Sequence, residues 1–167
     1  GGSATGASIT AGALPAGVTG TFAAGVFTIS GTPTTTVGSP FSYTVTTSGG
    51  ACAGVSLSGT ITVDAVPTLT LTSAVGTNAQ TVCINTAITN ITYTIGGSAT
   101  SASITAGALP AGVTGTFAAG VFTISGTPTT AVGSPFSYTV TTSGGTCAPV
   151  SVSGTITVDV APTLTLT

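Results

Sequence analysis

Asp64, Asp159, Cys52, Cys83 and Cys147 are the side chains of this sequence that could supply a charge, a metal ligand or a covalent cross-link. The two aspartates are the only acids, and Lys, Arg, His, Met and Trp are all absent. General acid–base catalysis needs a side chain that exchanges protons near the working pH, and a nucleophile needs a base beside it. One carboxylate per stretch of domain size supplies neither. Neutralising phosphates takes Lys or Arg, so nucleic acid is excluded as a partner. Zinc and calcium require clustered His, Cys, carboxylate or carbonyl ligands, and no such cluster is written here. The sequence therefore assigns no catalytic, cofactor-binding or metal-ligating residue, expects no cofactor, and reads as a non-enzyme.

The remaining polar features have structural readings. Asp64 and Asp159 each close a strand-like run, where one carboxylate suits a turn better than a shared cation. Asn90-Ile91-Thr92 matches the glycosylation sequon, but Asn90 is also suited to the turn that precedes a strand. The Thr-x-Thr runs (TLTLT, TITV, TVTT) resemble ice-binding ranks, yet they fall on separate strands rather than at short regular spacing, as ordinary strand faces do. Tyr43, Tyr93 and Tyr138 could form a sugar platform, but each is in phase with apolar neighbours. Core packing with the hydroxyl at the rim is the expectation.

Apolar residues recur in short regular runs, unlike those of a disordered chain. Gly, Ser, Thr or Pro interrupts every stretch long enough to span a membrane as a helix. The few aromatics form no girdles of the kind an outer-membrane barrel carries. The sequence opens on no methionine or signal peptide, which suggests an internal piece of something longer.

The clearest signal is internal repetition. GGSAT begins at Gly1 and again at Gly96, an offset of 95 residues. Aligning 1–72 with 96–167 leaves seven differences, at Gly6/Ser101, Thr36/Ala131, Ala51/Thr146, Gly54/Pro149, Leu57/Val152, Ala65/Val160 and Val66/Ala161, so 65 of 72 positions agree. That period is longer than a solenoid repeat and fits a small domain with its own core. VDAVPTLTLT and VDVAPTLTLT place a proline between two strand-like runs, which reads as a short link. Residues 67–161 then form one complete unit, 1–66 the later part of the preceding unit, and 162–167 the first strand of the next.

Within the unit, strand and turn signals alternate throughout. FSYTVTT places Phe136, Tyr138 and Val140 on one face, with Ser137, Thr139 and Thr141 on the other. VSVSGTITV, ITYTI and TLTLT do the same, the mark of half-buried strands. LPAG, FAAGVF, GTPTT, VGSP and SGG supply the turns. About seven short strands and no helix predict an all-β, two-sheet antiparallel sandwich.

LPAGVTGTFAAGVFTISGTPT, at 14–34 and 109–129, resembles the Ig-like (cadherin-like) repeats of bacterial surface proteins, marked by LPAG, a hairpin and a strand ending in SGTP. With TVCINTAITNITYTIGG before it, and FSYTVTTSGGTC and SGTITV after it, the chain resembles the tandem repeats of giant Bacteroidetes cell-surface adhesins of the SprB gliding-motility type. The resemblance covers essentially the whole chain. It implies an Ig-like fold, secretion through the type IX pathway, and display on an extracellular cell-surface filament engaged in gliding motility and adhesion. Its partners would be neighbouring repeats, polysaccharide or solid surfaces, and the cell-envelope motility or secretion machinery. Calcium-binding cadherin relatives carry acidic clusters between domains, whereas each junction here holds a single Asp.

The cysteines are disulfide candidates in a secreted protein. A full unit carries two, Cys83 and Cys147, and Cys52 is the earlier copy of Cys147. Pairing within the unit, pairing with the next unit and reduced thiols all stay open. If the strand order is Ig-like, Cys147 and Cys83 lie at opposite poles, which favours Cys83 joining the following unit and disfavours both Cys83–Cys147 and Cys52–Cys83. Two roles fit the whole: a stalk whose repeats hold a distal tip away from the cell, or repeats that themselves bind polysaccharide multivalently.

Overall fold

The computed structural model describes residues 4–165, and all regular structure in them is strand. The chain divides into two compact units, Gly1–Asp64 and Ala65–Thr167. The first contains β1 (Gly6–Gly12), β2 (Val18–Ala23), β3 (Val26–Gly31), β4 (Phe41–Ser48) and β5 (Ser56–Ile61). The second contains β6 (Thr68–Leu71), β7 (Ala79–Cys83), β8 (Ile91–Gly96), β9 (Ser101–Gly107), β10 (Val113–Ala118), β11 (Val121–Gly126), β12 (Phe136–Ser143) and β13 (Ser151–Asp159).

The second unit is a sandwich of two four-stranded sheets, ordered β10-β11-β8-β6 and β7-β13-β12-β9. All pairings are antiparallel except β7 with β13. Four strands face a second sheet in which the last strand lies beside the next-to-last, with Greek-key crossings between the sheets. That is the strand order of an immunoglobulin-like domain. Expecting about seven strands undercounted by one. The first strand divides into β6 and β7, which belong to opposite sheets, because the turn Ser73–Asn78 carries the chain from one to the other.

The core follows the period-2 pattern. Ile91 and Tyr93 of β8, Phe122 and Ile124 of β11, Tyr138 and Val140 of β12, and Ile156 and Val158 of β13 are buried between the sheets. Serines and threonines alternate with them outside. The hairpin joining β10 and β11 turns on Ala119 and Gly120, with φ of 48° and 79°. Positive φ at both central residues is the two-residue turn whose twist matches the flanking strands. The LPAG turn closes through Val113 N–H donating to the Pro110 carbonyl at 3.0 Å.

A lysine-free sheet must protect its edges by other means. β6 and β7 are short, at four and five residues. β9 carries a bulge at Thr105, where Thr139 faces Ala106 but Val140 faces Ile104, which twists that edge away from a flat pairing surface.

The first unit repeats β9–β13 as β1–β5, with β2-β3 forming one sheet and β1-β4-β5 the other. One strand differs in length. Ser151–Asp159 is continuous strand, whereas the matching β5 stops at Ile61. In the second unit Thr157, Val158 and Asp159 lie beside Thr81, Val82 and Cys83 of β7; in the first unit the stretch 62–64 lies beyond the end of β5.

Candidate functional site

Cys83 is the last residue of β7, exposed and in register with Asp159, the last residue of β13. Both therefore mark the pole where the unit's chain leaves. Cys147 sits in the turn between β12 and β13, half-buried, at a groove of about 170 Å³ lined by Pro67, Thr142, Gly145 and Pro149. Pro67 leads into β6, so this is the pole where the chain arrives. Between them runs the nine-residue β13, roughly 26 Å from its first residue to its last at about 3.3 Å per step. A disulfide needs Cα atoms within about 7 Å, so Cys83 and Cys147 cannot bond within one unit. Cys52 is exposed beside a groove of about 470 Å³ lined also by Ala4, Ser48 and Val55. No disulfide joins the three cysteines.

Asp64 and Asp159 are both exposed. Among the described residues no three His, Cys, Asp or Glu side chains gather as a metal site. Asn90 is exposed immediately before β8, in the connection from β7. Gln80 holds that connection: its side-chain amide donates to the carbonyls of Thr77 and Thr89, each at 2.9 Å, and accepts from Thr89 N–H at 2.9 Å. The only glutamine in the chain is thus a pin between strand and loop, a role that nothing in its local sequence marks.

Tyr93 and Tyr138 differ from the expected rim-facing tyrosines. Both are buried to the hydroxyl, at 0% and 1% exposed, and the two hydroxyls share a hydrogen bond of 3.3 Å. They reach across from opposite sheets, so each polar tip finds its partner in the core rather than in water. Burial raises the pKa of both above the ordinary tyrosine value, most strongly for Tyr138. Neither presents a surface to a sugar. Tyr43, the matching residue of the first unit, is half-buried.

The outward faces carry rows of hydroxyl–hydroxyl hydrogen bonds. Thr141 bonds Thr105 at 2.7 Å and Ser151 at 2.8 Å, a track across β9, β12 and β13. Thr46 repeats it with Thr10 and Ser56 at 2.7 and 2.8 Å. Cross-strand hydroxyl pairs stabilise a sheet face where other proteins place ion pairs. The signal was present in the sequence as Ser and Thr in the outward phase of adjacent strands, but strand order is needed to join them.

No family model matches the chain, and no curated protein matches its sequence. Among solved structures it is similar to an endo-fucoidan hydrolase of glycoside hydrolase family 107, at 20% identity over 97% of this chain and 24% of that one, with a TM-score of 0.39. It is also similar to tandem Ig domains of titin, at 10% identity over 89% and 76% of the two chains and a TM-score of 0.44. A protocadherin gamma B4 extracellular domain gives 14% identity, 91% and 26% coverage and a TM-score of 0.47. The chain spans about a quarter of the hydrolase and protocadherin chains. No helix among the described residues is long and apolar enough to cross a membrane.

Proposed function

We propose that the chain is a stretch of stalk from a large secreted bacterial surface adhesin, a spacer built of Ig-like repeats that performs no catalysis. The observation that carries this reading is the polarity of the second unit. Its chain arrives beside Pro67 and leaves at Asp159, with the full length of β13 between the two poles. A unit entered and left at opposite poles suits a spacer, because every added repeat can add length. A spacer needs length and stiffness, and its surface here is hydroxyl-rich and almost uncharged. Display outside the cell, type IX secretion and a part in gliding follow from the family resemblance.

The alternative, repeats that bind polysaccharide or solid surfaces, needs an exposed patch recurring once per unit. Among the described residues, the large exposed apolar side chains that recur at the repeat offset are Val37 and Val132, at 83% and 86% exposed. One isopropyl group per unit is too small a platform to hold a sugar ring, which favours the spacer.

Small-angle scattering on arrays of two, four and six repeats tests the reading. The maximum dimension should rise by about 30 Å or more per added repeat. A dimension that levels off, or arrays that adhere to agar or glass in proportion to repeat number, would replace the spacer with the alternative.

A further inference from the structure

Residues 1–66 and 96–161 are nearly identical, yet their apolar positions are covered to different degrees. Phe122, Ile124, Tyr138, Val140 and Ile156 are buried in the second unit. Their counterparts Phe27, Ile29, Tyr43, Val45 and Ile61 are only half-buried. What covers the second unit's core is β6, β7 and β8. Tyr93 and Ile91 lie opposite Phe122 and Ile124, and β7 lies along the end of β13. The first unit has no counterpart of these three strands among its described residues, and a groove of about 350 Å³ opens over Phe27, Ile29, Tyr43, Val45 and Leu57.

Two further differences point the same way. β5 ends at Ile61 although its sequence continues as the strand of β13 does. The stretch PTLT leads into β6 from Thr68, with Leu69 8% exposed against β8, whereas at 162–165 the same four letters form no strand and Leu164 is 100% exposed. In both places the letters are those of a strand and only the neighbouring strand is missing.

We propose that the open face of the first unit is a receptor for one occupant, a further copy of the sequence Pro67–Ile95 joined directly to Gly1. The register follows from the second unit. The tyrosine matching Tyr93 lies opposite Phe27 with its hydroxyl on that of Tyr43, and the isoleucine matching Ile91 lies opposite Ile29. The residues matching Thr81–Cys83 run parallel to Thr62–Asp64 and extend β5. The inference rests on the repeat organisation alone, so it stands or falls independently of the spacer role.

A chain in which residues 67–95 are repeated ahead of Gly1 tests this by amide hydrogen exchange against the 167-residue chain. Exchange in β3 and in Thr62–Asp64 should slow by about 100-fold or more, towards the rates of β11 and Thr157–Asp159, because strand pairing removes local opening. Added in trans to the 167-residue chain, a synthetic peptide of residues 67–97 should protect the same amides at a stoichiometry of one. The proposal is overturned if β3 and Thr62–Asp64 exchange at unchanged rates in the extended chain. It is equally overturned if the protection persists when the added copy carries Ile91→Asp and Tyr93→Asp.

Discussion

The hydroxyls of Tyr93 and Tyr138 lie 3.3 Å apart inside the second unit, one reaching from each sheet. Each satisfies the other in a place that water does not reach. Removing one should therefore hurt more than removing both. Tyr138→Phe leaves the Tyr93 hydroxyl buried without its partner, a loss of about 1–3 kcal/mol. Tyr93→Phe combined with Tyr138→Phe removes both polar atoms and should recover most of that loss. Denaturant unfolding of the two single variants and the double variant gives the coupling directly. Additive losses would show that the hydroxyls do not act as a pair.

The same pair sets a pH limit. Burial raises the pKa of both tyrosines in the folded chain, so the folded form keeps its protons where the unfolded form loses them. Stability is unaffected by this pair below the unfolded tyrosine pKa of about 10. Above it the unfolded state binds fewer protons, and stability falls by up to about 1.4 kcal/mol per pH unit for each tyrosine. Urea midpoints measured from pH 8 to 11.5 should hold and then drop beyond pH 10. The double phenylalanine variant should lose most of the drop.

Alternation and turn chemistry made the strands legible, because each strand has one wet and one dry face and each turn its Gly or Pro. FSYTVTT and ITYTI told which tyrosine face is buried. They did not tell that Tyr93 and Tyr138 meet, since that contact joins opposite sheets. The division of the first strand was also hidden: TLTL and AQTVC are both short, and only pairing with β8 and β13 assigns them to different sheets. Most instructive is PTLT, which enters a strand at Thr68 in one copy and is not strand at 162–165 in the other. Its pattern states a capacity to pair, and the partner decides whether it does.

Glycine at 154 is required by the same core. It lies directly across from Tyr138, whose ring covers it, and an added Cβ would collide with that ring and crowd the Asn78 carbonyl. Gly154→Ala should cost about 3 kcal/mol through overpacking, read as a lower unfolding midpoint. A loss below about 1 kcal/mol would mean that the ring can move aside.

The β10–β11 hairpin carries an alanine where the backbone favours Gly or Asn. Ala119 has φ of 48°, a left-handed conformation that costs an L-residue about 1–2 kcal/mol. Ala119→Asn should stabilise the second unit by about 0.5–1 kcal/mol, and Ala24→Asn should do the same for the first. Gly120→Ala, with open space around it but φ of 79°, should destabilise by a similar amount. Thermal midpoints of the three variants check the signs together.

The cysteines give the last expectation. Cys83 lies beside Asp159 at one pole and Cys147 beside Pro67 at the other, with the length of β13 between them. Oxidation of single chains should therefore yield no Cys83–Cys147 peptide in non-reducing mass mapping. The expectation for an array is a bridge from Cys83 to the Cys147 counterpart of the following unit, across the link at 160–161. Each such bridge would stabilise its junction by about 2–4 kcal/mol. Mapping an oxidised four-repeat array should recover Cys83 linked to the Cys147 counterpart of the following unit. Recovery of both cysteines as intact thiols under oxidising conditions would overturn that pairing.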